Sequence, residues 1–420
     1  MEQYLSGLNE KQLEAVTATE GPVLVLAGAG SGKTTVLVKR IAHIIAKKHV
    51  NPRNIIAITF TNKAANEMKE RIRSMVGAMA EDMWISTFHS ACVRILRGSI
   101  DFLGYTSDFV IYDSSDAKTL IKDCIKDLDL DEKAYAPKSV LSAIGKAKDD
   151  MQQPEDFIAT HAGDYYSQVV GRIYTLYQKR LKENNAVDFD DIIFLTVRIL
   201  IENPDVLHKY QERFRYILVD EYQDTNNVQY MLISLLAQAR QNICVVGDDD
   251  QSIYKFRGAN IQNILGFEEE FPNARLIKLE QNYRSTQNIL DAANAVIGNN
   301  RGRKGKELWT KNECGEKIRL YIGTNERAEA GFIADEIQKE VAAGRSYSDF
   351  AILYRTNAQS RILEEMLMRN AVPYRVLAGL RFYDRKEIKD IIAYLRVIHN
   401  ERDAISIRRI INEPKRGIGQ

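Results

Sequence analysis

Short aliphatic runs separated by stretches of helical periodicity open the chain. Pro22 to Ala27 (PVLVLA) and Ile55 to Phe60 (IIAITF) are almost wholly apolar, the pattern of strands buried on both faces. Apolar positions recur every three to four residues over about Lys33–Lys47 and Asn62–Val76, which predicts a helix after each strand. Such alternation implies an α/β fold with a parallel sheet and helices on both faces. From roughly Tyr105 to Asp188 charged, helix-rich sequence takes over, with Tyr165, Tyr166, Tyr174 and Tyr177 spaced to share a helix face on a core. This reads as a helical insertion, because the α/β pattern resumes with Tyr216–Val219 (YILV) and Ile243–Val246 (ICVV).

A third unit begins near Glu280. There, strand-like Lys317–Ile322, Phe350–Tyr354 and Tyr374–Leu377 alternate with helical Glu326–Ala343, Gln359–Arg369 and Lys386–Ile398, predicting a second βα layer. Between a helix near Asn288–Gly298 and the next strand lies RGRKGK, Arg301 to Lys306, with four cations in six residues. A solvated loop is the default for such a run, and a phosphate contact is the alternative.

Length and charge narrow the picture. A chain of 420 residues exceeds one compact core, and a ~150-residue domain prior gives about three domains. No apolar run reaches the ~18 residues of a membrane span, and the opening MEQYLSGLNEKQ is too polar for a signal peptide. Cys92, Cys124, Cys244 and Cys314 lie far apart, with no CxxC and no His at ligand spacing. Reduced, mostly buried thiols and a cytoplasmic compartment are therefore expected, rather than disulfides or a zinc site. Lys and Arg total 58 against 57 for Asp and Glu, so any nucleic-acid contact must come from a local groove and not from bulk charge.

Two segments carry chemistry. AGAGSGKT, Ala27 to Thr34, lies between a buried strand and a helix. A tight turn there, with Gly28, Gly30 and Gly32 free of side-chain obstruction, would point the backbone N–H groups of Ala27, Gly28, Ala29, Gly30, Ser31 and Gly32 at a polyphosphate. Lys33 would reach the β and γ oxygens and the Thr34 hydroxyl would ligate Mg²⁺. The second segment is YILVDEYQDTN, Tyr216 to Asn226, an apolar strand delivering two carboxylates to the sheet edge. Asp220 would hold the metal, and Glu221 would activate the attacking water. Together they imply Mg²⁺-dependent nucleoside triphosphate hydrolysis by a P-loop enzyme.

With these in view the chain resembles the superfamily I, UvrD/Rep-like DNA helicases, with the family's motifs in the family's order across all 420 residues. LNEKQLEAV (Leu8–Val16) resembles the Q motif, implying that Gln12 reads the adenine edge. ITFTNKAANEMKERI (Ile58–Ile72) and STFHSACVRIL (Ser86–Leu96) resemble the DNA-proximal motifs of the first motor domain, with Phe60 and His89 as single-strand contacts. VVGDDDQSIYKFRGA (Val245–Ala259) resembles the segment coupling ATP to DNA. There Gln251 is the γ-phosphate sensor, and Tyr254, Phe256 and Arg257 form a platform for unpaired bases. Phe256 stands where relatives usually carry Trp, so stacking there should be weaker. LEQNYRST (Leu279–Thr286) resembles the opening of the second motor domain, implying that Tyr283 stacks on adenine and Arg284 reaches the γ-phosphate. YRTNAQSR (Tyr354–Arg361) resembles a DNA-contacting segment, through Arg355 and Asn357. Thr35 borders the nucleotide where relatives commonly have Arg.

The resemblance implies a RecA-like first motor domain over 1–104 and 189–279, and a helical insertion over 105–188. It further implies part of a second RecA-like domain over 280–385 and the truncated start of a mobile subdomain over 386–420. It also implies 3′→5′ movement on single-stranded DNA, action at single-strand/duplex junctions, and roles with repair or plasmid-replication proteins. Two further family motifs are not found before Gln420, so poor unwinding by this chain alone is expected. A helicase subunit of a recombination nuclease and an ATP-switched DNA clamp are the alternatives, although a clamp has no use for a water-activating carboxylate.

Overall fold

The aliphatic runs become the inner strands of one sheet. In the computed structural model, which describes residues 3–377 and 386–418, the strands are β1 (Val23–Ala27), β2 (Ile55–Thr59) and β3 (Trp84–Thr87). There follow β4 (Val110–Ile111), β5 (Ala186–Val187), β6 (Tyr216–Val219), β7 (Ile243–Gly247) and β8 (Arg275–Leu279). Two short strands, β9 (Gln281–Asn282) and β10 (Trp309–Thr310), complete the set. The main sheet is ordered β3-β2-β6-β7-β1-β8, and every pairing is parallel. All residues of the four inner strands are buried. Alternate side chains therefore feed two separate cores. Leu24, Leu26, Ile56 and Ile58 join the core that includes Phe88, Ile193 and Leu232, whereas Val23, Val25, Ile55 and Ala57 join Val36, Ile41 and Met68.

Edge strands β3 and β8 escape sequence reading, because β8 mixes Arg275 and Lys278 with its apolar residues and so lacks a buried-strand signature. Shared strand direction puts all six C-terminal ends on one edge of the sheet.

The insertion is helical, as its composition implies. Helices Ser114–Asp127, Pro137–Asp149, Pro154–Thr160 and Tyr165–Glu183 surround their own core of Ile121, Ile144, Ile173, Tyr174 and Tyr177. The expected four-tyrosine face is corrected: Tyr174 and Tyr177 are buried, but Tyr165 is 80% exposed and Tyr166 is exposed as well. Those two begin the helix, and Tyr166 stacks on Tyr135 at its surface.

The structure forms two compact units, one comprising residues up to 315 and from 390 onward, the other residues 316–389. In the second unit, helices Glu326–Ala342 and Ser360–Arg369 pack through Ala334, Ile337 and Leu367. The strands expected at Lys317–Ile322, Phe350–Tyr354 and Tyr374–Leu377 are not formed among the described residues. Leu320 and Ile322 are each 82% exposed and Leu353 is 93% exposed. Alternation gives these segments a strand's side-chain pattern, but a strand also needs a neighbour to receive its N–H and C=O groups, and no ladder joins them. No helix among the described residues is long and apolar enough to cross a membrane.

Candidate functional site

The turn after β1 is built to receive an anion. Gly30 (φ +65°) and Gly32 (φ +89°) take left-handed backbone, which side chains other than glycine's disfavour. Ser31 Oγ donates to the Gly28 carbonyl at 2.7 Å and closes the loop. Helix Lys33–Lys48 then starts with no side-chain cap among the described residues, so its first N–H groups can serve an acceptor supplied from outside. Gln12 braces the loop from behind. Its Nε2 donates to the Ser31 carbonyl at 2.9 Å, and its Oε1 accepts from the Asn9 N–H at 3.0 Å. Thr35 lies beside this contact, half-buried in the helix's first turn. A Cβ on Gly32 would sit 2.8 Å from Gln12 Nε2. Gly32→Ala is therefore expected to lower stability by about 1–2 kcal/mol through backbone strain and to weaken nucleotide binding as Gln12 shifts. Chemical denaturation and titration with a fluorescent ATP analogue would measure the two effects.

Acidic groups face this loop from the end of β6. Glu221 adopts φ +51°, a conformation uncommon for a non-glycine residue. Its Oε2 lies 3.2 Å from Lys33 Nζ and accepts from Gln223 Nε2 at 3.0 Å. Burial, and then the neighbouring charge of Glu221, push the Asp220 carboxyl up to about 6. The same two causes push Asp224 to about 6, and its buried Oδ1 has no hydrogen-bond partner among the described residues. Three crowded carboxylates beside the Lys33 ammonium make a donor set whose chemistry suits a hydrated divalent cation.

Gln223 links this cluster to β7, because its Oε1 accepts from the Asp248 N–H at 2.9 Å. Beyond Asp248 the Gln251 side chain donates from Nε2 to Asp248 Oδ2. Next come the exposed rings of Tyr254 and Phe256, 6.0 Å apart, with the Arg257 guanidinium 5.1 Å and 5.5 Å from their centroids. Phe256 is 71% exposed. At the ends of β2 and β3, Phe60 packs edge-on against Phe88 at 5.6 Å, and His89 stacks on Phe189 at 3.7 Å. Burial drives the His89 imidazole down to about 4, so it is neutral near pH 7. Sequence reading missed Phe189, whose ring is 58% exposed although it opens a strongly apolar helix. Only its place directly after the capping Asp188 hinted that it lies outside the core.

Tyr283 and Arg284 adjoin the phosphate loop. The Tyr283 N–H donates to the Gly30 carbonyl at 3.0 Å, and its hydroxyl accepts from Asn9 Nδ2 at 2.8 Å. Asn282 Nδ2 donates to the Ala29 carbonyl at 2.6 Å. A Cβ on Gly30 would come within 2.8 Å of Arg284 Cβ. Arg355 and Asn357 belong to the other unit, at an exposed turn where the Arg355 N–H donates to Gln359 Oε1 at 3.0 Å. The basic run Arg301–Lys306 is not the solvated loop expected. Lys306 is buried, and Arg303 pairs with Asp250 through two bonds of 2.7 and 2.8 Å. Arg303 and Lys306 face carboxylates that stand more than fifty positions earlier, and Lys304 pairs with Glu268.

Comparison with known proteins identifies the family. The UvrD/REP helicase N-terminal domain matches residues 8–272, and the UvrD-like helicase C-terminal domain matches residues 277–420. The ATP-dependent DNA helicase PcrA of Bacillus subtilis (strain 168) is 56% identical over 418 residues, covering 99% of this chain and 56% of that protein. PcrA of Staphylococcus aureus (strain Mu50) is 54% identical over 419 residues, covering 100% of this chain and 57% of that protein. The PcrA of Staphylococcus epidermidis has the same identity and coverage. The chain thus spans about half the length of the curated relatives it matches. The match at 277–420 also corrects the expectation that the family's C-terminal motifs are missing, because a domain signature is spread over many positions that a search for two short motifs does not sample. Adjoining N- and C-terminal signatures of one family account for nearly the whole sequence, and the chain belongs to the UvrD/REP helicase family.

Proposed function

We propose that this chain provides the ATP-hydrolysing and strand-gripping machinery of a cytoplasmic DNA helicase that moves 3′→5′ on single-stranded DNA, working at single-strand/duplex junctions in repair or plasmid replication. The contact of Lys33 with Glu221, set between the phosphate loop and Asp220, carries the reading. The loop N–H groups and Lys33 hold the triphosphate, and Glu221 accepts the proton of the attacking water. Gln251 senses the γ-phosphate, Arg284 brings positive charge to it, and Tyr283 stacks on the base beside the loop that Gln12 braces. Thr34 and Asp220 would hold Mg²⁺, which when bound offsets charge on the phosphates. Bases stack on Tyr254 and Phe256 and pass Phe60 and the His89–Phe189 pair, while Arg355 and Asn357 contact the strand from the second motor domain. The domain limits 1–104 with 189–279, 105–188, 280–385 and 386–420 belong to the same proposal.

ATP turnover with and without a single-stranded oligonucleotide tests it. The oligonucleotide should raise the rate. Phe256→Ala should weaken oligonucleotide binding by about 1–3 kcal/mol, the worth of one stacked base, and raise the DNA concentration needed for stimulation. A rate indifferent to DNA would remove the motor reading.

A further inference from the structure

Lys306 carries its ammonium into the turn after β7. There Nζ lies 2.6 Å from Asp248 Oδ1, 2.5 Å from Asp249 Oδ1 and 2.8 Å from Asp250 Oδ2. The three carboxylates converge within 4.8 Å of one another, close enough to hold a cation, and the lysine is the cation that occupies that place. Buried carboxylates without a counter-charge take up protons or turn toward water. Burial alone would lower the Lys306 pKa, but Asp248 and its neighbours raise it on balance, so the ammonium stays charged.

This contact has a consequence two bonds away. Asp248 has two oxygens to offer: Oδ1 takes Lys306 and accepts from the Asp250 N–H at 3.2 Å, and Oδ2 accepts from the side chain of Gln251. Lys306 is thus the charged anchor, beside one backbone N–H, of the carboxylate that fixes the glutamine. The same strap reaches the phosphate loop two residues later, since a Cβ on Gly28 would come within 2.0 Å of Leu308 Cδ2. One segment thus touches both the loop that holds phosphate and the turn that senses it.

We propose that Lys306 is a positioning residue for ATP hydrolysis, which by holding Asp248 sets the side chain of Gln251 and so governs its transfer from Asp248 to the γ-phosphate. The proposal rests on the reading of Gln251 as the phosphate sensor. In the full chain, Lys306→Gln should lower DNA-stimulated kcat on the order of tenfold to a hundredfold, the scale of a misplaced catalytic group. KM for ATP and the affinity for a fluorescent ATP analogue should stay near the parent values. The single substitution also leaves Asp248 and Asp249 without their ammonium, while Asp250 keeps Arg303, so Lys306→Gln with Asp249→Asn is the second variant: it removes a negative charge along with the positive one, and Asp248 still lacks the ammonium. That double variant should unfold close to the parent and keep the low kcat. Recovery of kcat in it would mean that charge balance alone matters, and would overturn the proposal. Gln251→Ala separates the two levels. If it leaves turnover unchanged, the sensor reading fails. If it slows turnover and Lys306→Gln then slows it again by its full factor, the sensor reading stands and the positioning role of Lys306 falls. The expected result is little or no further loss.

Discussion

Glu221→Gln is expected to slow ATP turnover by about 10²–10⁴-fold, the usual contribution of a general base, with nucleotide binding largely preserved. The substitution is nearly isosteric. Gln can accept from Lys33 Nζ and Gln223 Nε2 as Glu221 does at 3.2 and 3.0 Å, and it is no worse suited to the left-handed backbone at φ +51°. What changes is basicity. The Lys33 ammonium beside Glu221 also suggests an order of events: a triphosphate that draws Lys33 toward its own oxygens frees Glu221 to take a proton. Steady-state turnover with single-stranded DNA, alongside titration with a fluorescent ATP analogue, measures the effect. A variant that binds the analogue and turns over at the parent rate would show that another group activates the water. Asp224→Asn makes a useful comparison, because Asp224 is close enough to sense the Glu221 charge but has no such contact with Lys33, and it should lower turnover far less.

How much of this could be read from the sequence depended on how local the governing interactions are. Helix Asn62–Val76 and strand Tyr216–Val219 have the bounds their patterns give, because an amphipathic period and an unbroken apolar run are local properties. The phosphate loop was legible for the same reason: glycine spacing, lysine and helix start lie within eight residues. Long-range pairing was not legible. Nothing near Lys306 announces that its partners are Asp248–Asp250, and a basic run has a solvated surface as its ordinary fate. Ile318, Leu320 and Ile322 fail in the opposite way. Their alternation shows which face a strand would offer but not whether a neighbouring strand is there to bond it. His89 and Phe189 meet across a hundred residues of chain, and only the fold brings the two rings together.

Lys148→Met is expected to destabilise the fold by about 3–5 kcal/mol near neutral pH. Lys148 is fully buried at the end of helix Pro137–Asp149, where Nζ pairs with Asp188 at 2.7 Å and Asp191 at 2.8 Å. Asp188 also accepts from the Tyr177 hydroxyl at 2.9 Å and caps helix Phe189–Glu202. The cluster therefore ties the helical insertion to a helix of the main core, and Met keeps the stem while deleting the charge both carboxylates need. The pH dependence follows from the directions of the shifts. Burial and the Asp188 charge raise the Asp191 carboxyl to about 6 despite Lys148, so its contribution is favourable at low pH and is lost as pH rises through 6. Burial works against ionised Asp188 as well, but Lys148 outweighs it and holds that carboxyl below its ordinary value; its contribution is present above the ordinary value and is lost as pH falls through the folded one. Without the ammonium both carboxyls move upward, and protons can replace the missing cation. The destabilisation should accordingly be largest at about pH 8 and shrink toward about pH 5. Adding Asp188→Asn and Asp191→Asn to Lys148→Met should restore much of the loss at about pH 8, because no uncompensated charge then remains in the core. Chemical denaturation of parent, single and triple variants at the two pH values tests this. A loss of the same size at both would mean that packing of the lysine stem, not its charge, holds the insertion in place.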